Sequence, residues 1–458
     1  MKIHPKTWFL SLIFFSIISI INAQKSNSEQ PITKKVVPWA NKMNVYEVNI
    51  RQYTPAGTFK AFQEYLPRLR DMGVKVLWFM PINPISKRDR KGSLGSYYAI
   101  ENYRTINPEF GTMADWINLV NACHQLGFKV LMDWVPSHTG ADHNWLFKHK
   151  NFYVLDKKGN PTYLYDWKDT RKLNYENKEL CDSMFALMKY WIKYTNIDGY
   201  RVDVAGEVPD DFWQKTIPAL QKVKPIFMIA EAEKPSMYEL GFDATYSWKE
   251  YHFMEKIALQ SKKKKYNAKK FFKILKKINS TFPTNYRRMY FTSNHDENSW
   301  HGADFSTMPG SSHAPFAVLT QTLPNGFPLI YSGQEIPVKR SIKFFDKDDI
   351  FTNPNIDYSE LQRFNFYQTL LSLRNDSCFS DAATFTKLNI KNKHILAFLK
   401  TNKNFNCLVI VNLSEDDQIF TFKEKFDEIL MYDVFEDKQV SIEREFSIGG
   451  WGYKVYKF

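Results

Sequence analysis

Three carboxylates in this chain each close a short strand-like apolar run: Asp203 in Asp198-Gly199-Tyr200-Arg201-Val202-Asp203, Glu231 in Phe227-Met228-Ile229-Ala230-Glu231, and Asp296 in Phe291-Thr292-Ser293-Asn294-His295-Asp296. Cleaving a glycosidic bond with retention needs one carboxylate as nucleophile and one carboxylic acid as proton donor, about 5–5.5 Å apart. The ends of adjacent parallel strands, about 4.8 Å apart, supply that separation directly. Arg201 lies two residues before Asp203 and so faces the same side of its strand, where it would keep the carboxylate ionised and oriented.

The elements that must hold these groups follow from the apolar periodicity. Strand-like runs fall at Val45–Ile50, Val74–Met80, Val130–Asp133, Ile197–Asp203, Phe227–Glu231, Phe242–Thr245, Met289–Asn294 and Phe327–Tyr331. Helix-like stretches lie between them, among them Phe59–Met72, Ala114–Leu126, Leu180–Tyr194 and Asp211–Val223, with a last one near Ser359–Arg374. Eight strands with helical crossovers predict a (β/α)8 TIM barrel, whose strand C-termini carry the active site. A doubly wound open sheet fits less well, because no glycine-rich phosphate turn follows the first strand. Between the third strand and its helix, residues 139–171 form an inserted loop rich in aromatic and polar residues. After residue 375 the pattern turns to short alternating runs (Ile395–Leu399, Cys407–Val411, Gln418–Phe422, Ile429–Tyr432, Lys454–Phe458), which predict a C-terminal antiparallel β-sandwich over 376–458.

With Asp133-Trp134-Val135-Pro136-Ser137-His138, the three carboxylate runs resemble the four signature regions of the α-amylase family of glycoside hydrolases (family 13-like), in the family's order and at roughly its spacing. That resemblance implies Asp203 as nucleophile, Glu231 as general acid and then base, and Asp296 as a carboxylate that grips sugar hydroxyls as the transition state forms. It gives His138 and His295 contacts to hydroxyls and Asp133 a supporting role, bonding Arg201. Glu233 competes with Glu231 for the acid's role; the family places its acid immediately after the apolar strand. Gly95-Ser96-Tyr97-Tyr98-Ala99-Ile100-Glu101-Asn102-Tyr103 is similar to the segment that stacks a tyrosine on the sugar to be cleaved. Tyr98 is the candidate and Tyr97 its competitor, and asparagine stands at 102 where the family usually has aspartate.

Two departures bear on function. Ser137 replaces an asparagine whose amide oxygen normally binds a structural calcium ion, and the inserted loop is short. No cofactor is therefore required, and calcium is not expected to be obligatory. Gly206-Glu207 stands where many α-amylases have Lys-His; the glutamate resembles the neopullulanase and cyclomaltodextrinase branch, as does Lys172-Leu173-Asn174 in part.

Composition bounds the rest. The 458 residues suffice for a barrel over 38–375 and a smaller domain. Lys2 and Lys6, the apolar run Trp8–Ile21 and Asn22-Ala23 read as an export signal over 1–23, followed by a polar linker over 24–37. The chain is then secreted or periplasmic, with no membrane span in its mature form. The formal charge of +13 is dispersed, and its densest run, Lys262–Lys265 continuing to Lys277, reads as the solvated face of an amphipathic helix rather than a nucleic-acid site. Cys123, Cys181, Cys378 and Cys407 lack metal-site spacing, and a Cys378–Cys407 bridge is left open. The expected activity is retaining hydrolysis of α-1,4-glucans such as starch or maltodextrins through a covalent glycosyl-enzyme. A neopullulanase- or cyclomaltodextrinase-like hydrolase or transglycosylase is the second reading, and an inactive glucan-binding homologue the third.

Overall fold

Eight strands form one parallel sheet: β1 (Val45–Val48), β2 (Val76–Phe79), β3 (Lys129–Trp134), β4 (Gly199–Val202), β5 (Phe227–Ala230), β6 (Ala244–Tyr246), β7 (Arg288–Met289) and β8 (Leu329–Tyr331). Their spatial order is β8-β1-β2-β3-β4-β5-β6-β7. The open edge between β7 and β8 is bridged by backbone hydrogen bonds from Phe327 N to Arg288 O and from Leu329 N to Tyr290 O, both 2.8 Å. The sheet is thus curled into the expected barrel, seen here in a computed structural model that describes residues 37–458 apart from 261–264, 285, 303–304, 337, 353–360, 381–382, 404 and 427–428. The expected export signal over 1–23, nearly all of the expected linker over 24–37 and the lysines at 262–264 lie outside the described residues. Val37, the last linker position, is buried in the barrel's core cluster.

The strands read as continuous apolar runs because helices cover one face and the barrel interior the other; all four residues of β5 are buried. Gly199 opens β4 because nothing larger fits: a Cβ there would stand 1.9 Å from the Phe227 carbonyl oxygen of β5. Helix Met113–Gln125 begins with a capping box between Thr112 and Asp115. Helix Lys178–Thr195 is capped by Asn177 and stops at Asn196, which turns left-handed at φ 59°. The helix expected over Phe59–Met72 is two pieces, Phe59–Gln63 and Leu66–Met72. Pro67 explains the break, since proline lacks the N–H an interior turn needs and sits well at a helix start. The last barrel helix runs Gln362–Ser372; positions 353–360, which include the expected start at 359, are outside the described residues. Helix Ala268–Thr281 buries Phe271, Leu275 and Ile278 and leaves its lysines exposed, as expected for a solvated charged face.

Beyond the barrel lie β9 (Thr384–Lys387), β10 (Ile395–Asn402), β11 (Phe405–Asn412), β12 (Gln418–Thr421), β13 (Leu430–Asp433), β14 (Lys438–Ser441), β15 (Glu445–Ile448) and β16 (Tyr453–Lys457). Six form an antiparallel sheet in the order β9-β10-β11-β16-β13-β14, and β12 pairs with β15. Alternation sorts the side chains. Leu396, Phe398, Cys407, Val409 and Val411 join the barrel's core, whereas Ile395, Ala397, Leu408 and Ile410 form a second core with Phe420, Phe422 and Ile448 of the two-stranded ribbon. The four cysteines are free thiols; those of Cys378 and Cys407 are in hydrogen-bond contact and unbridged. Among the described residues, no helix is long and apolar enough to cross a membrane.

Candidate active site

A cavity of ≈ 400 Å³ opens at the C-terminal ends of the barrel strands, and Tyr98, His138, Asp203, Glu231, His295 and Asp296 all line it. Arg201 and Asp133 lie beneath, fully buried. All eight residues singled out from the sequence therefore converge on one place. β4 and β5 pair with Val202 opposite Ala230, so Asp203 and Glu231 leave neighbouring strands at the same level. Their backbones are tied too: Asp203 N bonds Trp134 O at 2.8 Å and Glu231 N bonds Val202 O at 3.0 Å.

Arg201 organises the carboxylates. Its Nη1 donates to Asp203 Oδ1 at 3.0 Å and to both oxygens of Asp133 at 3.0 and 3.1 Å, while Nη2 lies 2.8 Å from Glu231 Oε2. Its Nε donates to the Tyr246 hydroxyl at 3.0 Å. Trp78, Tyr246 and Tyr98 box the guanidinium, with ring centroids 5.0, 5.5 and 5.7 Å from Cζ. Burial pushes the Asp203 carboxyl well above the usual range, and Glu231, Asp133 and Asp296 add to the rise against the pull of Arg201. The residue after the nucleophile candidate, Val204, sits at φ 34°, a strained conformation for a β-branched side chain. That turn aims its N–H at Glu231 Oε2, 2.8 Å away.

The histidines differ in charge. His138 is buried and held down to about 4 by that burial. It is therefore neutral near pH 7, with Nδ1 2.8 Å from the Ser137 hydroxyl and, among the described residues, no hydrogen-bond partner at Nε2. His295 is lowered by burial, but Asp296 and Glu47 outweigh this and raise it to about 9. Its Nε2 contacts the Tyr98 hydroxyl at 2.8 Å and Asp296 Oδ2 at 3.4 Å, and its ring stacks on Tyr98 at 5.3 Å.

The structure separates the competing residues. Tyr97 points away from the cavity, its hydroxyl on Asn49 Oδ1 at 3.0 Å, whereas Tyr98 lines the cavity. Glu233 does not face the same way as Glu231, as strand alternation had suggested. β5 ends at Ala230, the chain turns, and Glu233 pairs with Arg288 at 2.6 Å. Sequence reasoning missed several of the cavity's walls. Trp167 and Asp169 come from the inserted loop, Lys91 from the loop after β2, where it pairs with Asp169 at 3.1 Å, Trp300 from the helix His295–His301, and Phe344 and Phe345 from a later loop. Only the aromatic surplus of the inserted segment pointed toward any of them.

A (β/α)8 barrel with three carboxylates and a buried arginine at the mouth of its strands defines a glycosidase. The family model described as "Alpha amylase, catalytic domain" matches residues 26–404, and the chain belongs to the α-amylase family, glycoside hydrolase family 13. It is 23% identical over 413 residues to "Alpha-amylase 2" of Dictyoglomus thermophilum, covering 85% of this chain and 70% of that relative. It is 25% identical over 447 residues to the "Cyclomaltodextrinase" of a Bacillus species, covering 89% and 74%. Among solved structures, the noncanonic maltogenic α-amylase AmyB of Thermotoga neapolitana superposes with a TM-score of 0.81 at 27% identity, over 91% of this chain and 98% of that one.

Proposed function

We propose that this chain is a retaining hydrolase of α-1,4-glucans of the starch and maltodextrin kind. The observation that carries this reading is the single guanidinium of Arg201 reaching both Asp203 and Glu231 from beneath one cavity. Asp203 attacks the anomeric carbon while Glu231 protonates the departing oxygen; water then releases the covalent glycosyl-enzyme with Glu231 as base. Asp296 takes sugar hydroxyls beside the charge of His295, Tyr98 stacks on the ring, and His138 donates Nε2–H. Early products read by proton NMR test the stereochemistry: the α-anomer must appear first. Initial release of the β-anomer would remove the covalent step.

A second reading, a neopullulanase- or cyclomaltodextrinase-like enzyme, draws on Glu207. Its Oε1 accepts from the Tyr165 hydroxyl at 2.7 Å, tying the inserted loop to the turn that follows the nucleophile. A product profile on soluble starch, pullulan, cyclodextrin and maltotriose separates the two: preference for pullulan or cyclodextrin selects the second.

Two further expectations accompany the proposal. The Ser137 hydroxyl is engaged with His138, and among the described residues no three His, Cys, Asp or Glu side chains cluster as metal ligands. This donor set does not suit the family's calcium ion, so treatment with a chelator should leave Tm within about 2 °C; a larger loss restored by calcium refutes it. His138→Ala should lower kcat/KM about 10- to 100-fold without changing its pH profile, because the ring is neutral across the working range. Steady-state rates from pH 5 to 8 check this. We also propose export, on the strength of the apolar run near the start of the chain.

A further inference from the structure

We propose that Glu47, on β1 and outside the cavity, is a positioning residue for the reaction: it holds His295 doubly protonated and thereby sets the direction of a hydrogen-bond relay ending at Arg201. The inference rests on the hydrolytic reading above and names a part of that site.

Glu47 is fully buried at mid-strand, where a carboxylate is costly unless something specific answers it. What answers it is His295 Nδ1, 2.5 Å from Oε1; Oε2 has no hydrogen-bond partner among the described residues. From the other ring nitrogen the relay continues. His295 Nε2 lies 2.8 Å from the Tyr98 hydroxyl, and that hydroxyl lies 3.1 Å from Asp133 Oδ2. Asp133 in turn receives Arg201 Nη1, which also reaches Asp203.

Counting hydrogens fixes the direction. An ionised carboxylate only accepts, and a tyrosine hydroxyl has one hydrogen to give. Tyr98 can donate to Asp133 only if its contact with His295 is one in which the ring donates. Burial raises the Glu47 carboxyl while His295 and Arg201 pull it back; with Glu47 ionised it claims Nδ1–H, so Nε2 must carry a second hydrogen and the ring is an imidazolium. A neutral ring with its hydrogen toward Glu47 would present a lone pair at Nε2. It would then draw the Tyr98 hydrogen away from Asp133 and face Asp296 with like charge density. Asp133 would keep only Arg201 and Trp78 Nε1, the latter at 3.2 Å, and the arginine that orients the nucleophile would be held less firmly.

The charges around the ring come from four elements: Glu47 from β1, Asp133 from β3, Arg201 from β4 and Asp296 from the ring's own helix, with Tyr98 and Phe344 on its faces and Trp78 at its edge. Arg201 and burial oppose the imidazolium, whereas Glu47 and Asp296 favour it. Only Glu47 makes a short, aligned bond to Nδ1. Removing its charge leaves Asp296 and Asp133 against burial and Arg201, and the ring then loses its proton at lower pH.

The test is Glu47→Gln, which keeps shape and hydrogen bonding and removes the charge. The pH at which the His295 ring loses its second proton, read by ring ¹⁵N NMR, should move down by at least about one unit, with Tm little changed. An unmoved titration of the ring would overturn the proposal. Ring ¹⁵N NMR of the wild-type enzyme, with the signal assigned by His295→Gln, decides the matter if Glu47→Gln does not fold: at pH 8 His295 must be doubly protonated, and a singly protonated ring refutes the idea. Failure here leaves the nucleophile and acid assignments standing, since those are tested separately by Asp203→Asn and Glu231→Gln.

Discussion

Asp203→Asn is expected to abolish hydrolysis, lowering kcat on glucans on the order of 10⁵-fold, the scale seen when a covalent nucleophile is removed from its supporting groups. Asparagine has the shape of aspartate and keeps an oxygen toward Arg201 Nη1, so the cavity and its arginine should persist. What disappears is the electron pair that forms the bond to the anomeric carbon. Stability should move the other way. The Asp203 carboxyl is raised by burial and by neighbouring carboxylates. A raised acid means that the folded state prefers the protonated form. The ionised side chain therefore costs stability increasingly as pH climbs from its unfolded value through the folded one. A neutral amide escapes that cost, and Tm at pH 7 should be no lower than wild type. Wild-type turnover, measured alongside a calorimetric scan and a maltodextrin-binding titration, would refute the nucleophile; loss of fold or binding would show the residue to be structural.

Much of this architecture is legible in the sequence because parallel strands buried on both faces leave largely apolar runs, as in β2 and β5; β7 departs most, occupying Arg288–Met289 rather than the expected Met289–Asn294. Carboxylates that terminate such runs stand out against them, which is why Asp203, Glu231 and Asp296 converge as expected. Period-2 reasoning stops where the strand stops. Glu233 belongs to the turn beyond β5 and swings to Arg288. Val204 adopts a conformation that a β-branched residue rarely takes, so no propensity could reveal that its N–H serves Glu231. Glu47 is hidden for another reason. In Val45-Tyr46-Glu47-Val48 it reads as the polar position of an alternating strand, and only closure of the barrel brings His295, 248 residues away, against it. Lys91, Asp169 and Phe344 come from loops with no regular period, assembled by the strands beneath them, and Trp300 from a helix of only seven residues. In the C-terminal region, β9, β14 and β15 escape the apolar pattern because their exposed positions carry polar residues and leave too few apolar ones to form a run.

Glu231→Gln should separate the two chemical roles of the acid. Oε2 of Glu231 is committed to Val204 N–H and Arg201 Nη2, which leaves Oε1 to carry the proton toward the cavity. The amide of glutamine can reproduce the Oε2 contacts, but it cannot release a proton to a departing sugar oxygen. For glucans, whose leaving group is a poor alkoxide, the rate should fall about 10²- to 10⁴-fold. A glycosyl fluoride needs no such proton, so its first step should proceed near the wild-type rate. The second step should then stall, because water no longer finds a base. A glycosyl-enzyme on Asp203 should accumulate, visible as one added sugar unit by intact mass, and azide, a nucleophile that needs no deprotonation, should discharge it. This combination distinguishes a proton donor from a residue that merely shapes the cavity, since damage to the cavity would depress both substrates alike. Equal losses on glucan and fluoride, with no trapped sugar and no response to azide, would take the acid's role away from Glu231.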